Sequence, residues 1–231
     1  MRAAAVVMCV GLVAGGAAAP PEFTALADVD PTVRQDMRYA GTRNFTGGRV
    51  DGYEEPVCLL ARPAAEALRR AQRRLLRRGL SLKVYDCYRP QRAVDQFVRW
   101  AADASDQSTK EEFYPEVDKS RLIPEGYIAE KSGHSRGSTL DVTLVALAGG
   151  SGRELDMGTP FDFFDPRSHT DSPAVSEAAR ANRRLLRETL GEAGFVNLPE
   201  EWWHFTFKPE AFPDTYFDFP VSGASVGSAR P

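Results

Sequence analysis

Three histidines occur in the 231 residues, and two of them stand near acids in settings that suit metal chemistry. His134 lies in SGHSRGSTLD, seven positions before Asp141, and His204 closes EWWH, three positions after Glu201. Two imidazoles and one carboxylate make a three-ligand set for a catalytic zinc, with a fourth position left for water. Asp141 suits the carboxylate because it interrupts the apolar run TLDVTLVAL, where a charge is costly unless it is paired or binds metal. A buried, hydrogen-bonded aspartate capping a turn is the other reading of that residue. Glu201 is of the type that takes a proton from an activated water and hands it to a leaving amine. Its alternative is a surface carboxylate beside a packed Trp-Trp pair. Arg89, in YDCYRPQRAVDQF, offers a permanent guanidinium for a developing oxyanion. His169, in RSHTDSP, has no ligand pattern around it.

Such residues need strands and turns that converge. Pro63 opens and Gly79 closes a helix with Leu68, Ala71 and Leu75 on one stripe. Its many arginines read as a solvated outer face, not a nucleic-acid surface. LKVYD (82–86) reads as a strand that delivers Arg89 to the start of a second helix, opened by Pro90. Val94, Phe97, Val98 and Ala101 form that helix's apolar stripe. Residues 103–130 are polar and broken by Pro115, Pro124 and Gly126, which predicts a long loop with little regular structure. In 139–147, Leu140, Val142 and Leu144 alternate with Asp141, Thr143 and Val145, the period of a strand. A loop over 148–173 leads to a third helix, begun by Ser176 and left at Gly194. EWWHFTF reads as a strand, and DTYFDFP as an aromatic closing segment. Glu201 and His204 face opposite sides of a regular strand, so a bend or bulge between them is expected. The last residues, VSGASVGSARP (221–231), read as a disordered tail. Without a βαβ rhythm or a phosphate-binding glycine loop, the expected class is α+β. We expect a single domain with a small central antiparallel sheet flanked by helices and a metal site in a cleft.

With 42% hydrophobic residues the chain can bury one substantial core, and its net charge of −3 leaves no footprint for nucleic acid. Arg2 is followed by AAAVVMCVGLVAGGAAA, an apolar run that ends in small residues at Ala17–Ala19. It predicts a secretory signal over about 1–19, and so a periplasmic or extracellular protein with no stable membrane span once the signal is removed. An uncleaved membrane anchor is the alternative. Signal removal leaves Cys58 and Cys87, for which a disulfide is the natural expectation in an exported chain.

The motifs also occur together in a specific order. S-x-H-x-x-G-x-x-x-D, then E-x-W-H about sixty residues later, with YDxYRPQRAVDxFVRW upstream, closely resembles the zinc D-alanyl-D-alanine dipeptidases of the VanX type. The likeness runs from Tyr39 in MRYAGTRNFTGGRVDGYE, through GTPFDFFD and SHTDSP, to YFDFP, and so spans an expected catalytic domain over about 20–220. The resemblance implies one Zn2+ per chain on His134, Asp141 and His204, with Glu201 as base and Arg89 on the oxyanion. It further implies that Ser132, Asp162 and Tyr39 hold a small dipeptide. An acid such as Asp162 suits the free ammonium of that substrate. Asp86 is expected to orient Arg89 through a fork-type pair. A carboxypeptidase or endopeptidase acting on muropeptides is the alternative activity. A zinc-containing module that binds wall fragments without cleaving them is a more distant one. Two positions depart from the pattern: Gly133 stands where serine is common, and Cys87 where glycine is common.

Overall fold

The computed structural model describes residues 18–147 and 152–227. In chain order the elements are β1 (Phe23–Ala25), α1 (Leu26–Val29), β2 (Arg34–Gln35), β3 (Leu59–Ala61), α2 (Arg62–Leu76), β4 (Leu80–Asp86) and α3 (Gln91–Ala102). Then follow α4 (Lys110–Phe113), α5 (Lys119–Leu122), β5 (Thr139–Ala146), α6 (Glu177–Gly191), β6 (Phe195–Asn197) and β7 (His204–Phe207). The α+β class and the single domain hold. A five-stranded sheet in the order β2-β4-β5-β7-β6 is the scaffold, and β1 and β3 pair separately. The main sheet is antiparallel except for the short β2–β4 pair, which is parallel.

Local chemistry accounts for the helices. Pro63 sits in the first turn of α2, whose Leu68, Ala71 and Leu75 are buried. Gly79 then turns the chain with φ +70, a backbone that only glycine adopts freely. Ser176 caps α6 by accepting from the Ala179 N–H at 3.1 Å. β5 is buried along nearly its whole length, so both of its faces are covered.

Several expectations need correction. The 103–130 stretch carries two one-turn helices, α4 and α5, which seat Phe113 and Leu122 in the core. Residues 221–227 are ordered, contrary to the expected tail. Val221 is fully buried, accepts from the Glu54 and Glu55 N–H groups and donates to the Gly52 carbonyl, and a short 3-10 helix follows at Gly223–Val226. A composition poor in large apolar groups concealed an anchor made mostly of backbone hydrogen bonds. The expected signal segment through residue 17, the start of the 148–173 loop at 148–151, and residues 228–231 lie outside the described residues. Ala19, at the expected signal boundary, donates to the Ser225 carbonyl at 3.0 Å. No helix among the described residues is long and apolar enough to cross a membrane.

Cys58 and Cys87 form a disulfide with Cα atoms 5.3 Å apart, closing a loop over α2 and β4. A loop of this length contributes about 3–4 kcal/mol by restricting the unfolded chain.

Candidate active site

Strand register brings the acids and imidazoles together. Asp141 on β5 lies opposite Asp86 on β4 and opposite His204 on β7, so three site residues share one rung across three strands. A register shift in β4 between Val84 and Asp86 aims Asp86 toward that rung. His134 arrives from a 3-10 turn over Gly133–Arg136, just before β5, with Ser132 as its cap. Ser132 Oγ accepts from the His134 N–H at 3.3 Å. Arg136 locks the turn's far end through a two-pronged pair with Glu210, at 2.6 and 3.0 Å. Gly137 then takes φ +78 against the ring of Phe23, where any β-carbon would clash at 2.3 Å.

Gly133 also has a physical account. A β-carbon there would lie 3.0 Å from Thr139 Oγ1, pressing by a few tenths of an ångström on a hydroxyl already paired with Thr206.

The Glu201–His204 segment forms the expected bend. It is a tight turn before β7, closed by the His204 N–H donating to the Glu201 carbonyl at 3.2 Å. Asn197 stabilises it by donating to the carbonyls of both Glu201 and His204, at 3.0 and 3.1 Å. The two side chains therefore meet, with Glu201 Oε2 3.4 Å from His204 Nδ1.

The donor atoms make a regular triangle. His134 Nε2 to Asp141 Oδ1, His204 Nδ1 to Asp141 Oδ1, and His134 Nε2 to His204 Nδ1 are each 3.3 Å. A tetrahedral ion with bonds of about 2.0–2.1 Å spaces its ligand atoms by about 3.3 Å, so the triangle matches zinc. The donor chemistry agrees. The Cys87 carbonyl accepts from His134 Nδ1 at 2.7 Å, which leaves the Nε2 lone pair facing the centre. Asp141 Oδ1 is buried and has no hydrogen-bond donor of its own in the protein. Such an atom needs a cation or a proton. These residues form the three-ligand cluster among the described residues.

Around the triangle, Arg89 is nearly buried. Its Nε donates to Asp86 Oδ2 at 2.9 Å, its Nη2 lies 3.5 Å from Asp141 Oδ2, and its guanidinium packs 5.0 Å over the ring of Tyr39. Asp86 is the buried hub. It also accepts from Tyr53 Oη at 2.6 Å and lies 3.4 Å from His134 Nδ1. Tyr39 Oη donates to Asp162 Oδ2 at 2.9 Å. Asp162 carries the positive φ of +60, a costly backbone for a non-glycine residue, which aims its carboxylate into the cleft. All these groups except the fully enclosed Asp86 and Tyr53, together with Ser132, line a cavity of about 200 Å3. That is smaller than the pockets that take drug-sized ligands.

The electrostatics separate the acids. Burial pushes the Glu201 carboxyl up to about 7; Asp141 adds to the shift, while His204 and Arg89 oppose it. Burial, with the charge of Asp141, pushes Asp162 well above the ordinary carboxylate range. For Asp141, burial acts upward, but the charge of the two imidazoles when they are protonated prevails, and its carboxyl then falls far below that range.

The structure brings the expected residues together with one correction: Asp86 is enclosed behind Arg89 and off the cavity wall, and it holds the guanidinium through one N–H bond and not the expected fork. Tyr53, Asn197 and the Cys87 carbonyl were not singled out from sequence. A tyrosine in VDGYEE, an asparagine and a main-chain oxygen carry no motif, and their contacts depend on the folded chain.

Comparison with known proteins agrees with the geometry. The family model described as D-ala-D-ala dipeptidase matches residues 20–222. A D-alanyl-D-alanine dipeptidase of Enterococcus faecalis (strain ATCC 700802 / V583) is 46% identical over 82% of this chain and 93% of its own. One from Streptomyces coelicolor is 43% identical over 87% of this chain and 98% of its own, and one from Escherichia coli K12 is 36% identical over 80% and 83%. Among solved structures, a mutant of the vancomycin resistance D,D-pentapeptidase VanY in complex with Zn(II) aligns over 68% of this chain and 77% of that one, at 13% identity and a TM-score of 0.39. With a family match over nearly all the described residues and relatives up to 46% identical over most of their length, the chain belongs to the D-Ala-D-Ala dipeptidase family.

Proposed function

We propose that this protein is an exported zinc dipeptidase that hydrolyses D-alanyl-D-alanine to two D-alanines. The observation that carries the metal assignment is the 3.3 Å triangle of His134, Asp141 and His204, with its undonated carboxylate oxygen. Bound there, zinc would acidify water and polarise a carbonyl.

The chain's own residues do the rest. Glu201, raised toward neutrality, accepts the proton of the attacking water and returns it to the leaving amine. Arg89, held by Asp86, faces the oxygen on which negative charge develops. An incoming ammonium would draw the Asp162 carboxyl back to its charged form and be held by it beside Tyr39, and the Ser132 hydroxyl lines the same cavity. A small cavity with an acid for a free ammonium favours an unblocked dipeptide over a longer muropeptide.

Export rests on the apolar N-terminal run and on the buried Cys58–Cys87 bridge, which fits an oxidising compartment. The test is turnover on free and N-acetylated D-Ala-D-Ala by zinc-loaded protein. Cleavage of the free dipeptide alone is expected. Equal cleavage of both would overturn the dipeptidase assignment in favour of a carboxypeptidase.

A further inference from the structure

The disulfide joins Cys58, immediately before β3, to Cys87, the first residue beyond β4. Both cysteines are fully buried, so the bridge is enclosed in the fold and away from solvent. Its position relative to the site is unusual. Cys87 lies inside the four-residue turn Asp86–Arg89, and that turn touches the metal-ligand cluster at three points. The Cys87 carbonyl accepts from His134 Nδ1 at 2.7 Å, Asp86 Oδ2 lies 3.4 Å from the same nitrogen, and Arg89 Nη2 lies 3.5 Å from Asp141 Oδ2. A further backbone contact, from the Arg89 N–H to the His134 carbonyl, is long, at 3.4 Å.

On its other side the turn is held to β3. The Tyr88 N–H donates to the Leu59 carbonyl at 2.9 Å, and Leu59 follows Cys58 directly. Cys58 is itself fixed, its N–H donating to Gln35 Oε1 at 2.8 Å and its carbonyl accepting from the Leu26 N–H at 2.9 Å. The bridge thus ties a turn that orients an imidazole to a strand that is anchored independently.

We propose that the Cys58–Cys87 disulfide is a positioning device for the metal centre, fixing the Cys87 carbonyl that sets the His134 ring and the Arg89 guanidinium beside Asp141. This rests on the reading of His134 as a zinc ligand. The partner on a ligating imidazole's second nitrogen sets the ring's orientation and basicity, and its loss lowers metal affinity by about 10- to 100-fold. The bridge therefore acts on zinc affinity and turnover, beyond what it adds to stability. Its burial makes it a fixed support and not a switch.

The test compares Cys58→Ala/Cys87→Ala with Cys58→Val/Cys87→Ala, which refills most of the lost volume, and with Leu190→Ala. Leu190→Ala truncates the buried face of α6, an element that carries no site residue, and serves as a control for lost stability. Zinc affinity is read by chelator competition at a temperature where each variant is folded by circular dichroism, and kcat and KM are read separately on D-Ala-D-Ala. Both disulfide variants are expected to bind zinc about 10-fold or more weakly, with kcat reduced and KM little changed, while Leu190→Ala keeps wild-type zinc affinity. Folded disulfide variants with wild-type zinc affinity overturn the proposal. So does failure of both to fold, since the bridge would then be a requirement of the whole fold. If the wild-type protein itself binds no zinc, it is the metal assignment that fails.

Discussion

Among the single residues, Glu201 carries the sharpest expectation. Burial raises its carboxyl from an ordinary 4.5 to about 7, and a protonated Glu201 cannot accept the proton of the attacking water. A cation beside it works in the same direction as Arg89, so kcat/KM should climb with pH along a limb lying between those two values. Replacing Glu201 by Gln should remove that limb and lower kcat by about 10²- to 10⁴-fold, with zinc content unchanged, as a metal assay alongside a pH profile will show. A Gln variant that keeps the limb assigns it to another group. A second prediction concerns Asp162, which accepts from Tyr39 Oη and faces the cleft. Asp162→Asn should raise KM for the free dipeptide and narrow the preference over the N-acetylated one, measured by the ratio of the two kcat/KM values. Residue types made much of this centre legible in advance. Histidine, aspartate and glutamate at these spacings have few other reasons to sit in apolar surroundings. Cys87 shows the limit, because it acts through a carbonyl that every residue possesses.

Between elements, the register of β4, β5 and β7 assembles the site, since Asp86, Asp141 and His204 share one rung. A slip of one residue would turn Asp141 to the other face of the sheet. The long elements α2, α3, α6, β4 and β5 were readable from period and punctuation. β1, β2, β3 and β6 span two or three residues, too few to show any period, and tertiary pairing alone defines them. The segment after Pro220 is hidden for a related reason, because its anchor is made mostly of backbone hydrogen bonds that no side-chain pattern announces. Val221 reaches the site indirectly, since it bridges to Tyr53, whose hydroxyl donates to Asp86. Ending the chain after Pro220 should lower the melting temperature and also reduce kcat, because Tyr53 loses its backing. A truncated protein with full kcat and an unchanged melting temperature would show that the segment is dispensable.

For the molecule as a whole, one sheet supports both a large aromatic and aliphatic core and a small polar cleft built on its inner strands β4, β5 and β7. Charges are buried there at some cost to stability, and bound zinc should return part of it. A ligand that binds only the folded chain stabilises it by about 2.7 kcal/mol at 100 times its dissociation constant. Chelation should therefore lower the melting temperature, reversibly on adding zinc, and Asp141→Ala should abolish that response. The central claim, a zinc centre on His134, Asp141 and His204 that cleaves D-Ala-D-Ala, is tested most directly by measuring zinc content and D-alanine release in the same preparations. The wild type should carry one zinc per chain and release two D-alanines per dipeptide, and His204→Ala should lose both. Zinc-loaded wild-type protein that leaves the dipeptide intact, or a His204→Ala variant that keeps zinc and turnover, would contradict it.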